Sequence, residues 1–155
     1  MTNRPAVLFA CVHNSGRSVA AAALARHYAG ELVDVRDAGS EPSGTVNPTV
    51  ARVLAELGLP VVDHTPTRLD YDLVEQADVV ITLGCNEACP AVPGKRVVDW
   101  AVADPKGQPE NAVRQIVADL DERVRALLLE LAPELRLPAA LTSAFRSGQV
   151  SPRAQ

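Results

Sequence analysis

Two rhythms of hydrophobic residues alternate along the chain. The unbroken apolar run Ala6 to Ala10 and the run Val79 to Leu83, apolar but for Thr82, stand between polar and turn-forming residues. Runs of that length suit strands of a parallel sheet, which are buried on both faces. Residues 32–38 and the shorter 96–99 predict two further strands. Between these, apolar residues recur at helical spacing. An alanine-rich stretch predicts a helix over 18–29, ended by Gly30. Asn47-Pro48 supplies a cap and a first-turn proline for a helix whose stripe is Val50, Val53, Leu54 and Leu57. Residues 69–76 predict a short helix and 61–62 a short extended piece. Residues 109–131 predict a long amphipathic helix with Val113, Ile116, Val117, Leu120, Val124, Leu127, Leu128 and Leu131 on one face.

Strands alternating with helices imply an α/β fold with right-handed crossovers and helices on both faces of a parallel sheet, a three-layer α/β/α sandwich. At 155 residues one domain is expected. The pattern places it over residues 1–133. Residues 134–155 form a C-terminal extension, read as a short helix over 135–145 or a mobile tail, with the last ten residues mobile. Ligands of such sheets sit beyond the carboxyl ends of the strands. Three segments follow strands and open at that end: residues 11–18, residues 84–95 and the loop carrying Asp104-Pro105.

Composition narrows the function. The formal net charge is −4, with no basic cluster and no apolar run of membrane length. Neither a general nucleic-acid binder nor a membrane protein is expected. The polar start Met1-Thr2-Asn3-Arg4-Pro5 is too short for a secretory signal, so a cytoplasmic protein is expected. Thiols stay reduced there, so the three cysteines point to catalysis, redox chemistry or metal rather than a permanent staple. Zinc would want further ligands at close spacing. His13, His27 and His64 form no paired motif, and no metal is expected.

The segment with most chemistry is Cys11-Val12-His13-Asn14-Ser15-Gly16-Arg17-Ser18. A strand leads into it and a helix leaves it. The backbone N–H groups of such a loop and the helix dipole make an anion cradle. Arg17, six residues after Cys11, can fork two oxygens of a tetrahedral oxyanion. The same positive field favours the thiolate of Cys11, the attacking form.

This Cys-x5-Arg-Ser loop resembles that of low-molecular-weight protein tyrosine phosphatases and of the arsenate reductases built on the same fold. The resemblance runs from about Pro5 to Leu131 and implies a four-stranded sheet in the order 2-1-3-4. It makes Cys11 the nucleophile and Arg17 the oxyanion clamp, with residues 12–18 binding the oxyanion. It gives Asn14 a loop-shaping, left-handed conformation and has Ser18 donate to the Cys11 sulfur. Ser18 alone could equally be a helix cap. Asp104-Pro105 resembles the family's general acid, which gives a proton to the departing oxygen. Trp100 is similar to the tryptophan ahead of that acid, or is a core aromatic.

Two features favour the reductases over the phosphatases. Lys106-Gly107-Gln108 follows Asp104-Pro105 where the phosphatases carry aromatic residues, so an aryl group would find little to stack on. Gly84-Cys85-Asn86-Glu87-Ala88-Cys89-Pro90 resembles the two-cysteine segment of thioredoxin-coupled arsenate reductases, though with a tighter spacing. The implied cascade runs from Cys11 to Cys85 to Cys89 and then to an external reductant, thioredoxin or mycothiol with mycoredoxin. No cofactor is bound in that scheme. The mycothiol route leaves Cys85 and Cys89 dispensable. Some relatives bind potassium beside the loop, but Ala22 stands at the acidic position, so no such site is expected. His64 is read as structural. The alternative function is a phosphatase acting on phosphotyrosine or small phosphate esters.

Overall fold

Four strands form one parallel sheet: β1 (Ala6–Cys11), β2 (Asp34–Gly39), β3 (Val79–Leu83) and β4 (Arg96–Asp99), in the order β2-β1-β3-β4. Four helices complete the fold: α1 (Arg17–Ala29), α2 (Pro48–Glu56), α3 (Tyr71–Gln76) and α4 (Glu110–Leu131). The computed structural model describes residues 4–61, 64–84 and 92–145. Cys85, Cys89, Val62 and the last ten residues, for which expectations were stated above, lie outside the described residues.

Side chains alternate along the buried central strand, and the two sets enter different cores. Val7, Phe9 and Cys11 face α1, α2 and α4. Leu8 and Ala10 face the smaller cluster made with Leu69, Val74, Ala77 and Val80. The sheet is thus covered on both sides, which is why β1 and β3 carry no polar interruption beyond Thr82. Ala20, Ala21, Ala22 and Ala25 are essentially unexposed, so small side chains let α1 lie close between the sheet and α4.

Helix starts follow local chemistry. The Asn47 side chain accepts from Thr49 N and Val50 N at 2.9 and 3.1 Å, capping α2 as its sequence predicts. Helix α3 starts at Tyr71 rather than Leu69, because Asp70 caps Leu73 N at 2.9 Å while Leu69 N is held extended on Gly39 O at 2.8 Å. Strand β2 starts at Asp34 rather than Leu32. Gly30, in a left-handed conformation (φ 55°), ends α1, and the turn after it occupies residues 30–33.

Asp121 is a finding that periodicity does not predict. It sits on the inner face of α4 at 0% exposure. Its carboxylate accepts from Tyr28 Oη at 2.7 Å and from Thr142 N and Oγ1 at 3.3 and 2.5 Å. Tyr28 Oη in turn accepts from Leu141 N at 2.9 Å. Residues 134–145 are thereby fastened across α1 and α4, with Leu135, Leu137, Leu141 and Phe145 packed on the main core. The expected helix over 135–145 is reduced to a helical turn at 143–145.

Truncating Asp121 to Ala leaves three buried donors unpaired. Unfolding in urea should show a loss of about 3 kcal/mol, since each such group costs about 1–3 kcal/mol and partial relaxation offsets some of the sum. Burial pushes the Tyr28 phenol above its ordinary 10.0, and donation to Asp121 pushes the same way. The neutral phenol is therefore the folded form. Its contribution is complete below about pH 10 and is lost as pH rises through the raised value. Denaturation curves taken across that range, with tyrosinate absorbance on the two tyrosines, check both points.

Candidate active site

Cys11 is the last residue of the central strand, in register with Gly39 on one side and Leu83 on the other. The chain then turns sharply and enters α1 at Arg17. The carbonyls of Cys11, Val12, His13 and Ser15 are all taken up by the flanking segment. They accept from Ser40 N, Glu41 N, Ser43 N and Asn47 N at 2.7–3.1 Å. These bonds hold the loop against the segment that follows β2.

Asn14 is buried and sits in the left-handed region (φ 51°), a conformation asparagine tolerates better than most residues. Ser18 is also buried, and its Oγ lies 2.8 Å from Cys11 Sγ. It does not cap α1: Gly16 occupies that position, with no side-chain cap bond. The choice between cap and sulfur partner is settled by this contact.

Arg17 is held through its guanidinium. Its Nη1 donates to Val102 O at 3.1 Å, and Nη2 stands 3.7 Å from Asp104 Oδ2. The Asp104 side chain is 60% exposed, free to face a ligand, while that of Arg17 is 14% exposed. Lys106 N donates to Asp104 Oδ1 at 3.0 Å, which fixes the turn at the Asp-Pro pair. A Cβ on Gly16 would stand 3.0 Å from Pro105 Cγ, so the two loops touch. Together they enclose a cleft of about 450 Å³ lined by Cys11, Val12, His13, Ser15 to Arg17, Ser43 and Thr45 to Pro48, with Asp104 to Lys106 opposite. Among the described residues no Phe, Tyr or Trp lines that cleft.

The sequence-predicted residues therefore meet, apart from Cys85 and Cys89, which lie outside the described residues. Gly84, the last described residue before them, backs directly onto Arg17. A Cβ there would stand 2.9–3.1 Å from the guanidinium. Trp100 is 9% exposed, 5.9 Å from the Phe9 ring, and packs in the core rather than the cleft. His64 joins Asp37 through Nε2 at 2.7 Å. Sequence reasoning missed Asp37, Gly39 and Gly84. The glycines at strand ends level with the loop were a signal; Asp37 gave none, because β2 also carries the half-buried Asp34 and the exposed Arg36.

Fold and loop together define a class: single-sheet α/β proteins with a cysteine–arginine loop at the carboxyl end of the central strand. Residues 6–137 match the low molecular weight phosphotyrosine protein phosphatase family, and the chain belongs to it. Arsenate reductase 1 of Bacillus cereus is 32% identical over 128 residues, covering 81% of this chain and 95% of its own. The thioredoxin-dependent arsenate reductase of Corynebacterium glutamicum superposes with a TM-score of 0.75 at 40% identity, covering 86% of this chain. This chain spans 64% of that longer one. The arsenate reductase of Archaeoglobus fulgidus gives a TM-score of 0.67 at 34% identity, covering 79% of this chain and 98% of its own.

Proposed function

We propose that this protein is an arsenate reductase that works through a covalent cysteine–arsenic adduct. The observation that carries the reading is Cys11 Sγ at the base of an oxyanion-sized loop, with Ser18 Oγ at 2.8 Å and Arg17 and Asp104 facing each other at 3.7 Å. Further support comes from the reductases among its relatives and from a cleft that, among the described residues, no Phe, Tyr or Trp lines.

In this reading residues 12–18 and Arg17 hold arsenate. Asp104 supplies the proton as the Cys11 thiolate attacks arsenic and one arsenic–oxygen bond breaks, releasing water. The thiolate of Cys85 then attacks the Cys11 sulfur. The sulfur–arsenic bond breaks and its electron pair stays on arsenic, which leaves as arsenite. Arsenic is reduced by two electrons and a Cys11–Cys85 disulfide forms. Cys89 attacks Cys85, frees Cys11 and leaves a Cys85–Cys89 disulfide for an external dithiol such as thioredoxin. A cytoplasmic setting, where thiols are kept reduced, suits each step. In the small-thiol variant mycothiol attacks the arsenic adduct itself and mycoredoxin resolves the product.

Arsenite production is the decisive assay, run with thioredoxin and with mycothiol. Turnover is expected with thioredoxin, and Cys85→Ser and Cys89→Ser should each reduce it about 10³-fold or more, because each removes an attacking thiolate. Wild-type rates in both variants with mycothiol would shift the route to the small thiol. Arsenite from neither reductant, with brisk hydrolysis of phosphate esters, would replace the reading with a phosphatase. The Cys11, Arg17 and Asp104 set could serve that chemistry too.

A further inference from the structure

Charged side chains outside the cleft join α2 to α4. Arg52 and Glu56 stand one turn apart on α2, and Glu110 and Arg114 stand one turn apart on α4. Arg114 is the hub. Its Nε and Nη2 donate to the two oxygens of Glu56 at 3.0 and 2.8 Å, and Nη2 also donates to Glu110 Oε2 at 2.6 Å. The other oxygen of Glu110 accepts from Arg52 Nε at 3.2 Å. Hydrogen bonding from Arg114 holds the Glu56 carboxyl below its ordinary range, and Glu56 raises Arg114 in return. None of these side chains lines the cleft, and no step of the chemistry above uses them.

Partly exposed ion pairs add little stability by themselves. Their meaning lies in what the two helices carry. Helix α2 starts at one wall of the cleft, where Asn47 caps it and Asn47 N donates to Ser15 O of the cysteine loop at 2.7 Å. Helix α4 starts just past the opposite wall, the loop of Asp104 to Lys106. Beyond Asp104 the hydrogen bonds of that loop are internal, Lys106 N to Asp104 Oδ1 at 3.0 Å and Gln108 N to Pro105 O at 3.1 Å. The first outside support comes at Pro109 O, which accepts from Ala112 N and Val113 N in the first turn of α4.

We propose that Arg114 is a positioning residue: by tying Glu56 to Glu110 it fixes α4 against α2, and so fixes where Asp104 stands across the cleft from the Cys11 loop. The inference rests on Asp104 being the acid of the proposed function. Apolar packing is the rival explanation, since Val50, Val53 and Leu54 of α2 share a cluster with Val113 and Val117 of α4. Such packing has no preferred direction and lets helices slide. A guanidinium forked onto a carboxylate sets both a distance and a direction.

Arg114→Met separates the two explanations, because it keeps an apolar stem and removes the fork. In quenched single turnovers on arsenate it should slow arsenite formation about tenfold, the scale of a small misplacement of a reacting group. Phosphate should still bind within about twofold of wild type by calorimetry, since Arg17 and the loop amides are untouched. Arg114→Lys keeps the charge without the fork and should recover no more than about threefold of the loss. On an Asp104→Asn background Arg114→Met should cost less than about twofold more, because the group it places is already gone. Amide exchange gives a readout independent of turnover: in Arg114→Met, Lys106 and Gln108 should exchange about fivefold faster or more while the amides of α1 keep their rates. Unchanged turnover, unchanged exchange at those two amides, or an equal loss without Asp104 overturns the inference. Should Arg114→Met not fold, Glu56→Gln takes its place, with about a threefold loss expected and wild-type turnover overturning it, since one charged leg of the fork is removed. An Asp104→Asn protein as fast as wild type would be a different failure, that of Asp104 as the acid, and the exchange rates would then decide the role of Arg114.

Discussion

Cys11→Ser is expected to lower arsenite formation by about 10⁴-fold or more, while inorganic phosphate and arsenate still bind within about threefold of wild type. The two halves of that result come from different parts of the site. In the proposed reading binding rests on the loop amides and on Arg17, which Val102 O holds in place. Serine replaces sulfur with a smaller atom and disturbs neither. Chemistry rests on the sulfur, because a serine hydroxyl beside Arg17 has no base among its described contacts to ionise it, and oxygen cannot pass electrons to arsenic through a disulfide. Arg17→Ala should show the complementary pattern, with anion affinity lost about 10²-fold or more, as a bidentate charged clamp is removed. Titration calorimetry with phosphate, together with quenched single turnovers on arsenate, separates the two. A Cys11→Ser protein that reduces arsenate at the wild-type rate would end the proposal.

The architecture was written in the hydrophobic pattern because burial on both faces leaves a parallel strand little choice. Val79 to Leu83 is fully buried in the structure, and the same residues are apolar apart from Thr82. The cysteine loop was legible for a related reason. Strand, loop and helix follow each other without a gap, so the chemistry and the scaffold share one stretch of chain. Asp104 was legible because it also follows a strand. What stayed hidden depended on contacts between distant segments. Asp37 reads as a polar residue in a strand until Arg26, His64 and Asn14 converge on it. Asp121 reads as one more charge on α4 until Tyr28 and Thr142 arrive from residues far before and after it. In both cases a buried carboxylate is tolerated only because several donors from elsewhere meet it, and no local pattern announces such a meeting.

Gly39→Ala is the second large expected effect, and it comes from a residue with no chemistry of its own. Gly39 ends β2 level with Cys11, so its Cα faces the turn that the loop makes on leaving the strand. A Cβ there would lie 2.6 Å from Asn14 N and from Val12 O, and 2.9 Å from His13 C. All three are backbone atoms, so no rotamer change relieves the clash. Nor can the strand end retreat, because Gly39 N donates to Thr67 O and Gly39 O accepts from Leu69 N, both at 2.8 Å. The displacement must therefore enter the cysteine loop. Overpacking of this kind costs about 1–3 kcal/mol, and the melting temperature should fall accordingly. The loss in function should be larger than the loss in stability. Moving the amides by roughly an ångström lowers phosphate affinity and arsenate turnover by about 10²-fold, because the cradle works only where its donors converge. Gly44→Ala is the control, since a Cβ there meets nothing within 4 Å. Wild-type phosphate affinity in a folded Gly39→Ala protein would mean that the loop does not depend on the close approach of β2, and that the cradle owes its shape to Asn14 alone.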